Sequence, residues 1–132
     1  MVGLDTNVLV RYLAQDDTKQ SPLASRFIEN TLSSDNPGFV SVITLCEVVW
    51  VLSESYGADR KRIRDVLEGL LTAKQIVIER ADIVWKALRA WEGVAADFSD
   101  ALIGEITIAS GGEITVTFDK GAAKLPGFEL LQ

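Results

Sequence analysis

The stretch Val2-Gly3-Leu4-Asp5-Thr6-Asn7-Val8-Leu9-Val10-Arg11-Tyr12-Leu13-Ala14 decides the fold. Val2 to Leu4 reads as a short strand. Val8, Leu9, Tyr12 and Leu13 then recur at helical spacing, which makes Thr6 to Ala14 a helix entered almost directly from the strand. Short apolar runs alternate with longer helical patterns along the rest of the chain. Ser21-Pro22 opens a helix to about Thr31, with Ser as its cap. Phe39 and Val40 form a second strand after a turn, and Ser41 caps a long helix to about Tyr56. Asp59 caps a helix to about Ala73, and Ile76 to Ile78 is a third strand. Asp82 caps a helix to about Val94, and a further helix spans about Ser99 to Ala109. Ile114 to Phe118 is a fourth strand, Asp119 to Lys124 a short helix, and Phe128 to Leu131 an edge strand. Strands separated by helices imply an α/β fold, a three-layer α/β/α sandwich whose mostly parallel central sheet has about five strands. Such sheets carry their sites at the carboxyl ends of the strands. No repeat or linker divides residues 1–132, which read as one domain.

Composition narrows the chemistry. The 132 residues carry 13 Lys and Arg against 19 Asp and Glu, a net charge of −6, with 48% hydrophobic residues. That hydrophobicity argues against disorder, and the longest uncharged run, Asn36 to Cys46, is far short of the roughly 18 apolar residues of a membrane span. No basic leader precedes the first apolar stretch, so the expected location is cytoplasmic. The chain has no histidine, which excludes Ser-His-Asp and Cys-His nucleophiles and His-based zinc sites. Cys46 is the only cysteine, and its apolar neighbours make it a small buried hydrophobe. Catalysis is left to carboxylates, hydroxyls, amides, Lys or Arg, together with a hard metal.

Most of the acidic residues, Asp16, Asp17 and Glu79 among them, lie in polar or terminal surroundings and read as solvated or capping groups. Four do not. Glu47 is the only charged residue between Pro37 and Ser53, in a helix apolar nearly all round, and is expected to be buried. Asp5 ends the first strand and Asp119 the fourth. Asp100 stands in the first turn of an apolar helix, three residues after Asp97. If adjacent strands bring these elements together, Asp5, Glu47, Asp100 and Asp119 converge in one acidic cleft. Two carboxylates about 4 Å apart repel by about 4 kcal/mol at an effective dielectric of about 20. Four of them would consume much of a domain's stability of about 5–15 kcal/mol. A divalent cation removes that objection, and an all-oxygen ligand set favours Mg²⁺ or Mn²⁺.

With these residues in place the sequence resembles the PIN-domain ribonucleases, in particular the VapC-type toxins of toxin–antitoxin pairs. Gly3-Leu4-Asp5-Thr6-Asn7-Val8 resembles the family's opening motif, Ser41-Val42-Ile43-Thr44-Leu45-Cys46-Glu47-Val48 the segment with its second acid, and Asp97-Phe98-Ser99-Asp100-Ala101-Leu102-Ile103 the segment with its third. Thr115-Val116-Thr117-Phe118-Asp119-Lys120 resembles the closing motif. Each motif alone is common; four in order over the full length are not, and no acid is missing. The resemblance implies hydrolysis of RNA phosphodiesters, with Asp5 and Asp100 as direct metal ligands and Glu47 and Asp119 binding a second ion or orienting the attacking water. Asn7 and Thr117 would hold carboxylates by hydrogen bonds, and Asp97 is an accessory acid. It also implies a homodimer and a cognate antitoxin that blocks the cleft.

An acidic nuclease must meet RNA through local positive charge. Arg60, Lys61, Arg62 and Arg64 form the densest basic run, although Lys61 with Asp65 and Arg64 with Glu68 make ordinary i,i+4 pairs. Arg11 and Lys120, beside the first and last motifs, are better placed to meet phosphate. Trp50, Trp85 and Trp91 lie at helical spacing that suits packing. Two other readings compete: a non-catalytic PIN-like scaffold acting through protein contacts, and a receiver-like signalling domain. The second lacks the paired acids that such a domain needs after its first strand. Phosphate-binding glycine motifs of nucleotide enzymes are absent.

Overall fold

Local chemistry sets the element boundaries. In a computed structural model describing all residues, Met1–Gln132, contacts gather into two compact units, Met1–Glu79 and Arg80–Gln132. The first unit holds β1 (Val2–Gly3), α1 (Thr6–Ala14), α2 (Gln20–Arg26), β2 (Gly38–Val40), α3 (Val42–Ser55), α4 (Arg60–Thr72) and β3 (Ile76–Ile78). Its strands run in the order β1-β2-β3, all parallel, with Val2 opposite Gly38 and Phe39 opposite Val77. Leu9, Ile28, Val40, Leu45, Val48 and Leu67 are almost wholly buried, each such side chain contributing about 1.5–3 kcal/mol by leaving water.

Capping explains where these helices begin. Asp5 accepts from the Val8 N–H at 3.1 Å, Ser41 from Thr44 at 3.1 Å and Asp59 from Arg62 at 2.8 Å, each satisfying an N–H that has no partner within its helix. The sequence names the Ser41 and Asp59 caps correctly. It assigns α2 to the wrong one. Asp17, not Ser21, accepts from the Lys19 and Gln20 N–H groups, and these bonds hold its carboxyl below the usual range. Ser21 is buried instead, donating to the Arg11 carbonyl at 2.8 Å and so fastening α2 to α1. A single π-helical turn, Phe27–Thr31, carries α2 to its predicted end. Cys46 is half-buried and free, and burial pushes its thiol up.

The second unit holds α5 (Ala81–Glu92), α6 (Phe98–Ala109), β4 (Thr115–Thr117), a short 3₁₀ turn at Ala122–Lys124 and β5 (Phe128–Leu130). Helices α5 and α6 pack together. Trp91 and Phe98 meet edge to face at 6.0 Å in that core, the arrangement that aromatic quadrupoles favour. The expected Asp82 cap of α5 is replaced: Arg80, in a left-handed conformation at φ 48°, stands at the cap position, and Asp82 pairs with its guanidinium at 3.2 Å. A Cβ on Gly104 would lie 2.4 Å from the Phe128 ring, so glycine lets α6 approach β5.

Strands β4 and β5 pair in parallel, Thr115 opposite Phe128. The α/β class and the parallel pairing are therefore as the sequence predicts. The five strands divide into sheets of three and two, where a single five-stranded sheet was expected. The hydrogen-bonding groups flanking β4 go to its neighbour: the Thr115 N–H donates to Gly127, and the Thr117 carbonyl accepts from Leu131.

Candidate functional site

In the second unit, three of the singled-out acids answer to one another. Asp97 occupies the position before α6 but its carboxylate makes no capping bond, and it is exposed. Asp100 follows one turn later on the same helix face. Burial, then the Asp97 charge, then the Asp119 charge push the Asp100 carboxyl above its usual range. No Lys or Arg pairs with any of the three; the ion pairs formed are Arg11–Asp16, Arg64–Asp65 and Arg80–Asp82.

The closing turn is built to hold Asp119 in that company. Its Oδ1 accepts from Gly121 at 2.7 Å and Ala122 at 3.1 Å, which leaves Oδ2 unengaged. The Thr117 hydroxyl accepts from the Asp119 backbone N–H at 3.0 Å, so it shapes the turn and does not bond the carboxylate itself. Gly121 lies so close to the loop before Asp97 that a Cβ there would stand 2.5 Å from the Ala95 carbonyl oxygen. This tight approach joins the segment carrying Asp119 to the one leading into Asp97 and Asp100.

In the first unit Asp5 is both cap and rim residue. One carboxylate oxygen receives the Val8 N–H. Asp5 and Asn7 line a cavity of about 610 Å³ that also reaches Arg11 and Gln20. Asn7 is exposed, and its amide makes no hydrogen bond to a carboxylate. Glu47 departs from expectation, because it is exposed. Helix α3 buries Leu45, Val48 and Leu52, and the opposite line of Ile43, Glu47, Trp50 and Glu54 faces outward. Ile43 is 72% and Trp50 64% exposed, so two large apolar side chains stand among the acids of that outward line.

The basic residues also differ from their expected roles. Arg11 is already engaged, donating to Gln20 at 2.8 Å, to Asp16 at 3.4 Å and to the Tyr56 hydroxyl at 3.3 Å. It therefore braces the end of α1 and is not left free for phosphate. Arg64 pairs with its neighbour Asp65 in place of Glu68, and Arg62 donates to the Leu13 carbonyl. Lys120 is exposed and unpaired. Sequence reasoning passed over Glu79, whose carboxylate accepts from the Val42 N–H at 2.9 Å and completes the start of α3. Its place just after β3 was the available signal. It also passed over Gln20, at the cavity rim.

An all-oxygen set of this kind suits a hard divalent ion. In neither unit do three acidic or thiol side chains meet closely enough to enclose a metal by themselves. Mg²⁺ does not require that, since it keeps several waters and takes one or two carboxylates beside substrate phosphate. The unengaged Asp119 Oδ2 and the mutual repulsion around Asp100 are what such an ion would satisfy.

The PIN domain family matches residues 2–127, nearly the whole chain, and the protein belongs to that family. PIN domains are generally hydrolytic nucleases that bind RNA and typically use divalent metal ions. No curated protein matches the chain. No helix is long and apolar enough to cross a membrane.

Proposed function

We propose that this chain is a Mg²⁺- or Mn²⁺-dependent endoribonuclease and the toxin half of a toxin–antitoxin pair. The observation that carries the reading is the grouping of Asp97, Asp100 and Asp119, in which burial first and then the two neighbouring charges raise the Asp100 carboxyl, with no ion pair to any of the three. Carboxylates left in mutual repulsion are a poor structural device and a good cation site. A divalent ion held by these carboxylates would supply Lewis-acid stabilisation of a scissile phosphate and a more acidic water.

In this reading Asp5 and Asp100 are the direct ligands. Glu47 and Asp119 bind a second ion or orient the attacking water, and Asp97 adds negative charge. Thr117 fixes the turn that presents Asp119, and Asn7 stands beside Asp5 in the same cavity lining. The exposed Ile43 and Trp50 support an interface with a second copy of the chain. The antitoxin would cover the acidic site, and the protein would act in the cytoplasm.

Expression with and without the neighbouring small gene product, followed by sequencing of RNA ends, tests the whole reading. Toxicity relieved by that partner, with defined new ends lost in Asp5→Asn and Asp100→Asn, is expected. Undiminished cleavage by both purified variants removes these acids from the mechanism. Glu47→Gln should weaken divalent-ion binding measured by calorimetry; unchanged affinity leaves Glu47 a solvated surface residue.

A further inference from the structure

Apart from Asp5 itself, the cavity beside Asp5 has a lining that the cleavage chemistry does not use. Its walls are apolar, with Val8, Leu23 and Phe27 among them, and Asn7 and Gln20 stand among its polar groups. Its two ionised residues, Asp5 and Arg11, carry opposite charges, and the Arg11 guanidinium is already bonded to Asp16, Gln20 and Tyr56. Such a site offers little to a phosphate. It suits a neutral, flat, partly polar group.

The hydrogen-bonding capacity is specific as well. Gln20 uses its carbonyl oxygen to accept from Arg11, which leaves its amide N–H groups to donate outward. The Asn7 amide has no partner and offers both a donor and an acceptor. Apolar walls under unspent amides are how proteins hold a single unstacked base, the wall meeting its face and the amides its edge. The volume, about 610 Å³, lies within the range of about 300–1,000 Å³ that encloses a small organic ligand.

We infer that this cavity is a base-reading subsite, which receives one nucleobase of the single-stranded RNA next to the phosphate cut at Asp5. The inference rests on the ribonuclease reading and assigns it a source of sequence preference. A segment of a protein partner is the other occupant that an apolar cleft admits. The unpaired amides favour the base, because a docking apolar side chain would bury them without partners.

Binding of fluorescein-labelled hexaribonucleotides of A, C, G or U, and of an abasic hexamer, is measured by anisotropy in EDTA. Sequencing of cut ends in Mg²⁺ accompanies it. The full chain is compared with Gln20→Met, which removes the free amide together with the Arg11 acceptor, and Leu23→Glu, which places a charge on an exposed wall residue. At least one base-bearing hexamer should bind about tenfold more tightly than the abasic one, the scale of a single stacked and hydrogen-bonded base. Both substitutions should shrink that difference and blur the base preference at the cut. Cleavage of RNA with no base preference, or a preference untouched by both variants, overturns the subsite alone. Variants that keep the preference and lose the complex with the co-expressed small protein reassign the cavity to that partner. Neither binding nor cutting of any RNA overturns the subsite and the ribonuclease reading together.

Discussion

Asp100 is the residue on which the electrostatics turn. Its carboxyl holds a proton more tightly in the folded chain than in the unfolded one. The folded state therefore binds the extra proton as pH climbs from the ordinary carboxylate range through the raised value, and stability falls across that window. Above it Asp100 stays ionised and opposes folding. A divalent ion reverses the sign. Mg²⁺ or Mn²⁺ at a hundredfold excess over its dissociation constant should add about 2.7 kcal/mol to stability. In thermal melts at neutral pH, Asp100→Asn should be at least as stable as the natural chain without metal, and should lose most of the ion's effect. An equal metal response in both proteins removes Asp100 from the site. Legibility differs sharply between residues here. Asp100 stood out in the sequence for its apolar neighbours along the chain, and it is partly buried. Glu47 stood out for the same reason and is exposed, since composition around a helix does not say which side meets the core.

At the scale of elements, cap and catalytic roles overlap at the start of α1. Asn is as good a cap as Asp, so Asp5→Asn should melt within about 0.5 kcal/mol of the natural chain while RNA cleavage disappears. Asp5→Ala should lose cleavage and also about 1 kcal/mol, because the Val8 N–H is orphaned. Chemical denaturation separates the two, and equal destabilisation by both would show that the cap carries no weight. In the closing turn, Gly121→Ala meets a backbone carbonyl that has little room to retreat. A cost of about 1–3 kcal/mol is expected, with a displaced Asp119 and a weaker metal response. A variant as stable as the natural chain would mean that the loop before Asp97 gives way freely. Caps that bond within their own helix start, such as Ser41 and Asp59, were readable from sequence. Ser21 was not, because its hydroxyl reaches back to the Arg11 carbonyl, a partner that only folding supplies. Arg80 broke the expectation for α5 by adopting a left-handed conformation, uncommon outside glycine.

For the molecule as a whole, net charge and exposed apolar surface set the terms on which RNA is met. The charge is −6, Arg11 is engaged within the fold, and Arg64 is paired at the surface. Few counterions are then released on binding, and the slope of log affinity against log salt should be shallow, about −2 or smaller in magnitude. A slope steeper than about −4 would mean that the basic run at the start of α4 grips the strand after all. Class, strand direction and the order of elements were legible because apolar periodicity records them. Division of the strands into three and two was not, because three-residue strands carry too little pattern to name their neighbours. Phe118, 80% exposed beside Asp119, was likewise invisible as a surface residue, for its run reads as a strand interior.

Cys46 offers a last consequence. The chain's sole thiol is half-buried and shifted toward its protonated form, so it reacts slowly with maleimides and other alkylating reagents. A second cysteine introduced at the cavity mouth as Leu23→Cys would then be the one fast-reacting position. Its labelling rate would serve as a clock for cavity occupancy, slowing whenever an oligonucleotide or a partner's side chain shields it, with no need to strip the protein of its native thiol.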